Sequence, residues 1–226
     1  MPPYREGMSD SGLIFGPPPW LVLLCGAKAS GKSICIKYVC RAYAREFAYI
    51  IVFAPTALNG FYEFLPSGFV HEDYKPEVME KILAKQEAFK RAGKSVQVLV
   101  IMDDILGSET IDWERRKQSE LSKLWAANRH WNISVIVVTQ SLKRVPRLLR
   151  DNVDYACIFR VMKEAYAALY ESFGHMDRRE FFRFIEENTL NYKVILYKAA
   201  VPNPEDHFKV FQLPQEAIDR KFRLVY

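Results

Sequence analysis

The sequence predicts an α/β fold, a mostly parallel central sheet flanked by helices, on three observations. Short apolar runs rich in Val and Ile recur along the chain. Segments with helical spacing of apolar residues separate them, and this alternation argues for parallel strands with helices on both faces. The first run, Leu21–Cys25, breaks at a glycine and leads through a short loop into a helical pattern.

Taken in order, Leu21–Cys25 follows Pro17, Pro18 and Pro19 and reads as a buried strand. Ile34, Ile36, Tyr38, Val39 and Ala42 then supply the apolar face of a helix. Tyr49–Phe53 is a second strand, ended by Ala54 and Pro55. Thr56–Pro76 is irregular, with Gly60, Pro66 and Gly68. Glu77–Ala92 is helical, with Val78, Ile82 and Phe89 on one side, and Gly93 stops it. Val96–Met102 is a third strand running into Asp103 and Asp104. Gly107–Asp112 is a loop, and Arg116–His130 a helix. Ile133–Thr139 is a fourth strand, Lys143–Arg150 a short basic helix or turn, and Tyr155–Phe159 a fifth strand. Helices over Glu164–Phe173 and Arg178–Glu187 follow, then strands at Tyr192–Tyr197 and Phe208–Leu213 joined by a long turn. This C-terminal helical segment and β-hairpin are expected to extend the same sheet. Residues 1–16 read as a flexible lead-in, and 17–226 as one domain with a core over about 20–160 and an extension over about 161–226.

Composition excludes several classes. Half the residues are hydrophobic and 14% are aromatic, which indicates a globular chain rather than a disordered one. No apolar run approaches the length of a membrane span, so direct membrane insertion is not expected. The N-terminus lacks the order of a secretory signal. Cys25, Cys35, Cys40 and Cys157 form no C-x-x-C pair and lie in apolar segments, as reduced core thiols of a soluble intracellular protein would. His71, His130, His175 and His207 have no metal-ligand spacing. The net charge of +5 is compatible with a polyanionic partner without establishing one.

Gly26 to Ser33 spells G-x-x-x-x-G-K-S, the phosphate-binding loop of P-loop NTPases. Its glycines let backbone N–H groups converge on an anion, and the helix that follows adds its positive end. The expected nucleotide contacts are Gly26, Ala27, Lys28, Ala29, Ser30, Gly31, Lys32, Ser33 and Ile34. Lys32 would reach the β- and γ-phosphates, the Ser33 hydroxyl would hold Mg²⁺, and Lys28 occupies a variable position. ATP and Mg²⁺ are therefore the expected ligands.

Asp103 at a buried strand's end is the usual metal-binding partner of such a loop. Asp104 can orient or deprotonate a water, although most hydrolases of this kind place Glu there. Gln140, beside Thr139 at the tip of an apolar strand, can touch the γ-phosphate or the attacking water. Arg129 and His130 precede that strand, and Arg144, Arg147 and Arg150 follow it. In a ring, Arg129, or failing that Arg150, could complete a neighbour's site. Trp113, Arg115, Arg116 and Lys117 follow Asp104 closely enough to contact DNA phosphates in a nucleotide-dependent way, or simply to form an exposed helix start. Phe181, Phe184 and Ile185 in RREFFRFIEEN read as core.

Together GAKASGKS, FAP, VLVIMDD, NRHWNISVIVVTQ and VPRLLRDNVD resemble the poxvirus-type genome-packaging ATPases of the FtsK/HerA superfamily, over Trp20 to Phe159. The resemblance implies a strand added between the two phosphate-site strands and a homo-oligomeric ring of five or six subunits. It implies ATP-driven translocation of double-stranded DNA into a capsid, with Gln140 as sensor and Arg129 as finger. It also implies capsid or membrane proteins at a packaging vertex as partners, and residence in host cytoplasm (the viral factory) or the virion. The residues alone leave two alternatives. One is a P-loop kinase or other NTPase acting on a small molecule or protein. The other is a nucleotide-binding switch or structural protein that hydrolyses poorly.

Overall fold

The structure is a computed structural model that describes residues 5–6, 13–105, 119–213 and 222–225. Among the described residues, nine strands form one sheet. They are β1 (Arg5–Glu6), β2 (Leu21–Cys25), β3 (Tyr49–Phe53), β4 (Val70–His71), β5 (Val98–Asp103), β6 (Ile133–Thr139), β7 (Tyr155–Ile158), β8 (Lys193–Lys198) and β9 (Phe208–Gln212). Their order is β1-β9-β8-β7-β2-β6-β5-β3-β4. β8 runs antiparallel to both of its neighbours, β7 and β9, and all other pairs are parallel. β6 lies between β2 and β5, as the resemblance implies.

The side-chain alternation of β2 divides the core in two. Leu21, Leu23 and Cys25 point into one layer, Val22 and Leu24 into the other. The layers are unequally built. One is covered by α2 (Pro76–Arg91), α3 (Ser119–Ala127), α4 (Arg147–Asn152), α5 (Tyr166–Phe173) and α6 (Arg178–Asn188). The other is covered by α1 (Lys32–Ala42) and by an aromatic cluster in which Phe15, Trp20, Tyr43 and Phe47 meet edge-on or stacked. Tyr62, Phe64 and Leu65 fill the space beside α1, and Phe222 packs on Phe64 at 4.9 Å between ring centroids.

Several expectations shift. The helix expected to reach His130 ends at Ala127 and gives way to a 3₁₀ turn, Asn128–Trp131. Buried Asn128 donates from Nδ2 to Ile133 O, and Asn132 adopts a left-handed φ of 52°, so the chain turns into β6 early. The expected basic helix is split. Leu142–Arg144 is a 3₁₀ turn, Pro146 lacks an N–H and interrupts it, and α4 starts at Arg147. The irregular segment before α2 contains β4. Part of the expected lead-in is placed: Arg5–Glu6 pair with β9, and Phe15 is buried with its N–H donating to Tyr43 Oη. The expected loop 107–112 and helix start at Arg116 lie outside the described residues.

The C-terminal extension shares the core. Phe181, Phe184 and Ile185 are buried as expected, and the first two pack on Phe208 with centroids 6.0 and 5.4 Å apart. Residues 17–226 are therefore proposed as one folding unit. Phe181→Ala should destabilise the whole domain by about 3–5 kcal/mol in urea unfolding. A second transition, with the sheet core unaffected, would instead make the extension a separate unit.

Candidate active site

The site lies where the C-terminal ends of β2, β5, β6 and β7 meet. Cys25 pairs with Thr139 and with Ile158, and Asp103 with Val138, so the four tips are level. The phosphate loop leaves β2 here. Gly26 N donates to Thr139 O at 3.2 Å and Ala27 N to Arg160 O at 2.8 Å, which pins the first turn to β6 and the end of β7. A side chain on Gly26 would meet Phe159 Cβ and Ser30 Oγ, each at 2.6 Å, so only glycine fits there. Gly31, with φ of 106°, needs the conformational freedom of glycine to start α1.

The loop is built for an anion. Among the described residues, the N–H groups of Lys28, Ala29 and Gly31 to Ile34 have no backbone acceptor, and Ser30 Oγ is buried without a partner. Ser33 is exposed at the first turn of α1. Lys32 is 7% exposed, and its Nζ donates to Gly26 O at 2.7 Å and Ala27 O at 2.8 Å. Burial lowers its proton affinity, and the Asp104 and Asp103 carboxylates oppose that shift. Burial pushes the Cys25 thiol beneath the loop up to about 12, so it stays a neutral core group.

Asp103 is 8% exposed and accepts a hydrogen bond from Tyr62 Oη at 2.7 Å. Desolvation raises its pKa, while the Tyr62 hydrogen bond and the Lys32 charge hold it down in part. Asp104 has a left-handed φ of 53°, which turns the chain so that successive carboxylates leave in different directions. Its Oδ2 accepts from Gln140 Nε2 at 2.9 Å, joining the tips of β5 and β6. A cavity of about 350 Å³, lined in part by Ala27, Lys28, Gln140, Lys143, Met162 and Glu164, opens beside this pair. A larger cavity of about 580 Å³, lined in part by Phe15, Tyr43, Tyr155 and Lys198, carries none of the residues expected to bind phosphate.

The structure thus brings together Gly26–Ile34, Asp103, Asp104 and Gln140, and leaves the two arginines apart. Arg129 precedes β6, whose seven residues at about 3.3 Å each put roughly 20 Å between it and Gln140. Its guanidinium pairs with Asp154, whose other carboxylate oxygen accepts from Leu21 N. Arg150 donates to Ser172 Oγ on α5 at 3.1 Å. Trp113, Arg115, Arg116 and Lys117 lie outside the described residues. Sequence reasoning missed Tyr62, because nothing in its irregular segment distinguishes one aromatic from its neighbours Phe61 and Phe64. No group of three or more metal-binding side chains occurs among the described residues. A divalent ion here would be held as P-loop sites hold Mg²⁺, by one hydroxyl, one carboxylate and phosphate oxygens.

This loop, the acidic end of β5 and the interposed β6 define a P-loop NTPase of the subgroup with an added strand between the two phosphate-site strands. Within that class the chain belongs to the Poxvirus A32 protein family, whose match covers residues 17–205. It is 24% identical over 196 residues to uncharacterized protein 015R of Frog virus 3 (isolate Goorha), covering 84% of this chain and 60% of that protein. It is 23% identical over 151 residues to DNA packaging protein OPG160 of Vaccinia virus (strain Western Reserve), covering 63% of this chain and 54% of that protein. The chain therefore spans little more than half the length of these relatives. Among solved structures it is similar to the genome packaging NTPase B204 from Sulfolobus turreted icosahedral virus 2 in complex with AMPPCP. That likeness has a TM-score of 0.63 and 19% identity, and covers 87% of this chain and 98% of that one. It also resembles B204, the DNA-packaging ATPase from Sulfolobus turreted icosahedral virus, with a TM-score of 0.64 and 18% identity over 86% of this chain and 98% of that one.

The raised pKa of Asp103 has a consequence for stability. The folded carboxyl holds its proton more tightly than the unfolded one, so the native state loses stability as pH rises through that titration. In metal-free buffer Asp103→Asn should raise the urea midpoint at neutral pH, and the gain should shrink as the pH falls and wild-type Asp103 becomes protonated. A variant less stable than wild type at neutral pH would mean that Tyr62 and Lys32 more than offset the burial of this charge.

Proposed function

We propose that this chain is an ATP-hydrolysing motor that translocates double-stranded DNA, packaging a viral genome into a capsid. The observation that carries the reading is the Asp104–Gln140 hydrogen bond at the strand tips beside the phosphate loop. It joins a carboxylate and an amide beside the loop, where a base and a γ-phosphate sensor would act in this reading. Family membership supports it, as do relatives named DNA packaging proteins and a structural neighbour named a genome packaging NTPase.

In this reading the N–H groups of 28–34 and Lys32 hold the triphosphate. Lys32 exchanges its bonds to Gly26 O and Ala27 O for phosphate oxygens. Ser33 and Asp103 would hold Mg²⁺, which would supply charge neutralisation for the phosphates. Asp104 accepts a proton from the attacking water, whose oxygen bonds to the γ-phosphorus as the bridging β–γ bond breaks and ADP leaves. Gln140 orients that water and senses whether the γ-phosphate is present. Arg129 is exposed at the opposite end of the strands, before β6, so in this reading it serves a neighbouring subunit in a homo-oligomeric ring; Arg150, held on α5, is the weaker candidate. Further partners are capsid or membrane proteins at a packaging vertex, and the setting is host cytoplasm or the virion. Among the described residues no helix is long and apolar enough to cross a membrane.

The test is steady-state ATP hydrolysis across protein concentration, with and without linear duplex DNA. Turnover should rise with concentration and with DNA. Asp104→Asn should still bind ATP and lose about 100-fold or more in kcat. Arg129→Ala should bind ATP and lose about tenfold or more, within the range of a finger acting in trans. Turnover flat in concentration and indifferent to DNA and to Arg129 would sink the ring motor and turn attention to transfer onto an acceptor.

A further inference from the structure

Between α6 and β8 the chain reverses within four residues. Lys193 N donates to Leu190 O at 3.0 Å, and the two central residues, Asn191 and Tyr192, have left-handed φ angles of 54° and 59°. This is the pattern of a type I′ turn, whose second central position favours glycine. Asn tolerates such a conformation; a bulky Tyr is strained in it. Gln212 Nε2 donates to Asn191 O at 2.9 Å and fastens the turn to β9.

The ring is not buried in return. Tyr192 is 64% exposed and is the one aromatic among the large hydrophobic side chains exposed in the described residues. Its place is specific, however. A Cβ built on Gly31 would stand 3.7 Å from Tyr192 Cδ1, and equally close to the Phe159 ring, so Tyr192 borders the phosphate loop where α1 begins.

Sheet order says which end of a nucleotide lies there. β6 and β5, with Gln140 and Asp104, are on one side of β2; β7 and β8, with Tyr192, are on the other. A triphosphate in the loop with its γ end at Asp104 and Gln140 directs its α-phosphate and nucleoside away from them. We infer that Tyr192 is the stacking platform for the base of the bound nucleotide. An exposed aromatic face binds any purine by its π surface and needs no hydrogen-bond code. This rests on the ATP reading above and adds to it the residue that grips the nucleoside.

The experiment is calorimetric titration of wild type, Tyr192→Gly and Tyr192→Phe with Mg²⁺-ATP and with Mg²⁺-tripolyphosphate, which fills the loop but has no base. Tyr192→Gly should weaken ATP by about tenfold. It should leave tripolyphosphate affinity unchanged and, by relieving the turn, raise the Tm by about 2–4 °C. Tyr192→Phe should bind both ligands as wild type does. Undiminished ATP affinity in Tyr192→Gly, or equal loss of both ligands, would overturn the assignment. Wild type that binds neither ligand would overturn the phosphate-loop reading itself, so the two failures are distinct.

Discussion

The position of β6 between β2 and β5 is the constraint on which the site depends. With β5 directly beside β2, Asp103 and Asp104 would abut the phosphate loop, and no strand tip would stand between them. With β6 interposed, the level registers of β2, β6 and β5 put Thr139 against Cys25 and Val138 against Asp103. Gly26 N then finds Thr139 O, and the next residue, Gln140, lies within hydrogen-bonding reach of Asp104. One topological choice thus anchors the loop and supplies an amide next to a carboxylate. Ser134 reinforces the register from the other end, where its hydroxyl accepts from Trp20 N.

The electrostatics of the site are balanced in a form that phosphate can displace. Lys32 is buried near two carboxylates but bonded to two loop carbonyls, and Asp103 is buried but bonded to a tyrosine hydroxyl. Each charged group has a partner, so no charge is left bare in a poorly solvated place. Neither partner is of opposite charge, and those bonds are the ones that a triphosphate and a cation can replace at modest cost. Unpaired N–H groups and Ser30 Oγ remain as acceptor-seeking groups with nothing else to bind.

Much of this was legible in the sequence, and the limits are physical. The buried strands were visible because parallel strands covered on both faces must be continuously apolar. Their ends were less certain, as for β5, whose ladder begins only at Val98, where Tyr49 and Ile133 stand beside it. β1 and β4 have two residues each and no run to betray them. The loop and the strand-tip residues Asp103, Asp104 and Gln140 followed from local spacing. Tyr62 and Tyr192 did not, since each reaches the site through tertiary packing from a segment with no motif. The aromatic cover over α1's face was hidden for the same reason: Phe15, Trp20, Tyr43 and Phe47 are apolar at unrelated spacings and meet only once the sheet has formed.

The sheet has two ends, and they are connected. At the C-terminal end of β2 sits the phosphate loop. At its N-terminal end Leu21 N donates to Asp154, and Asp154 pairs with Arg129. A β-strand of five residues is a stiff rod, about 17 Å long. It joins the loop of one site to an exposed arginine that cannot reach that site. A side chain so placed can act on phosphate chemistry only across a boundary between copies. In the proposed ring that contact would be heterologous, one surface of a subunit meeting a different surface of the next, and it would close when the rotation between copies permits. The Asp154 carboxylate would then have to share or release Arg129 as the neighbouring nucleotide changed, and the strand that holds Asp154 in place is the one that carries this subunit's own loop.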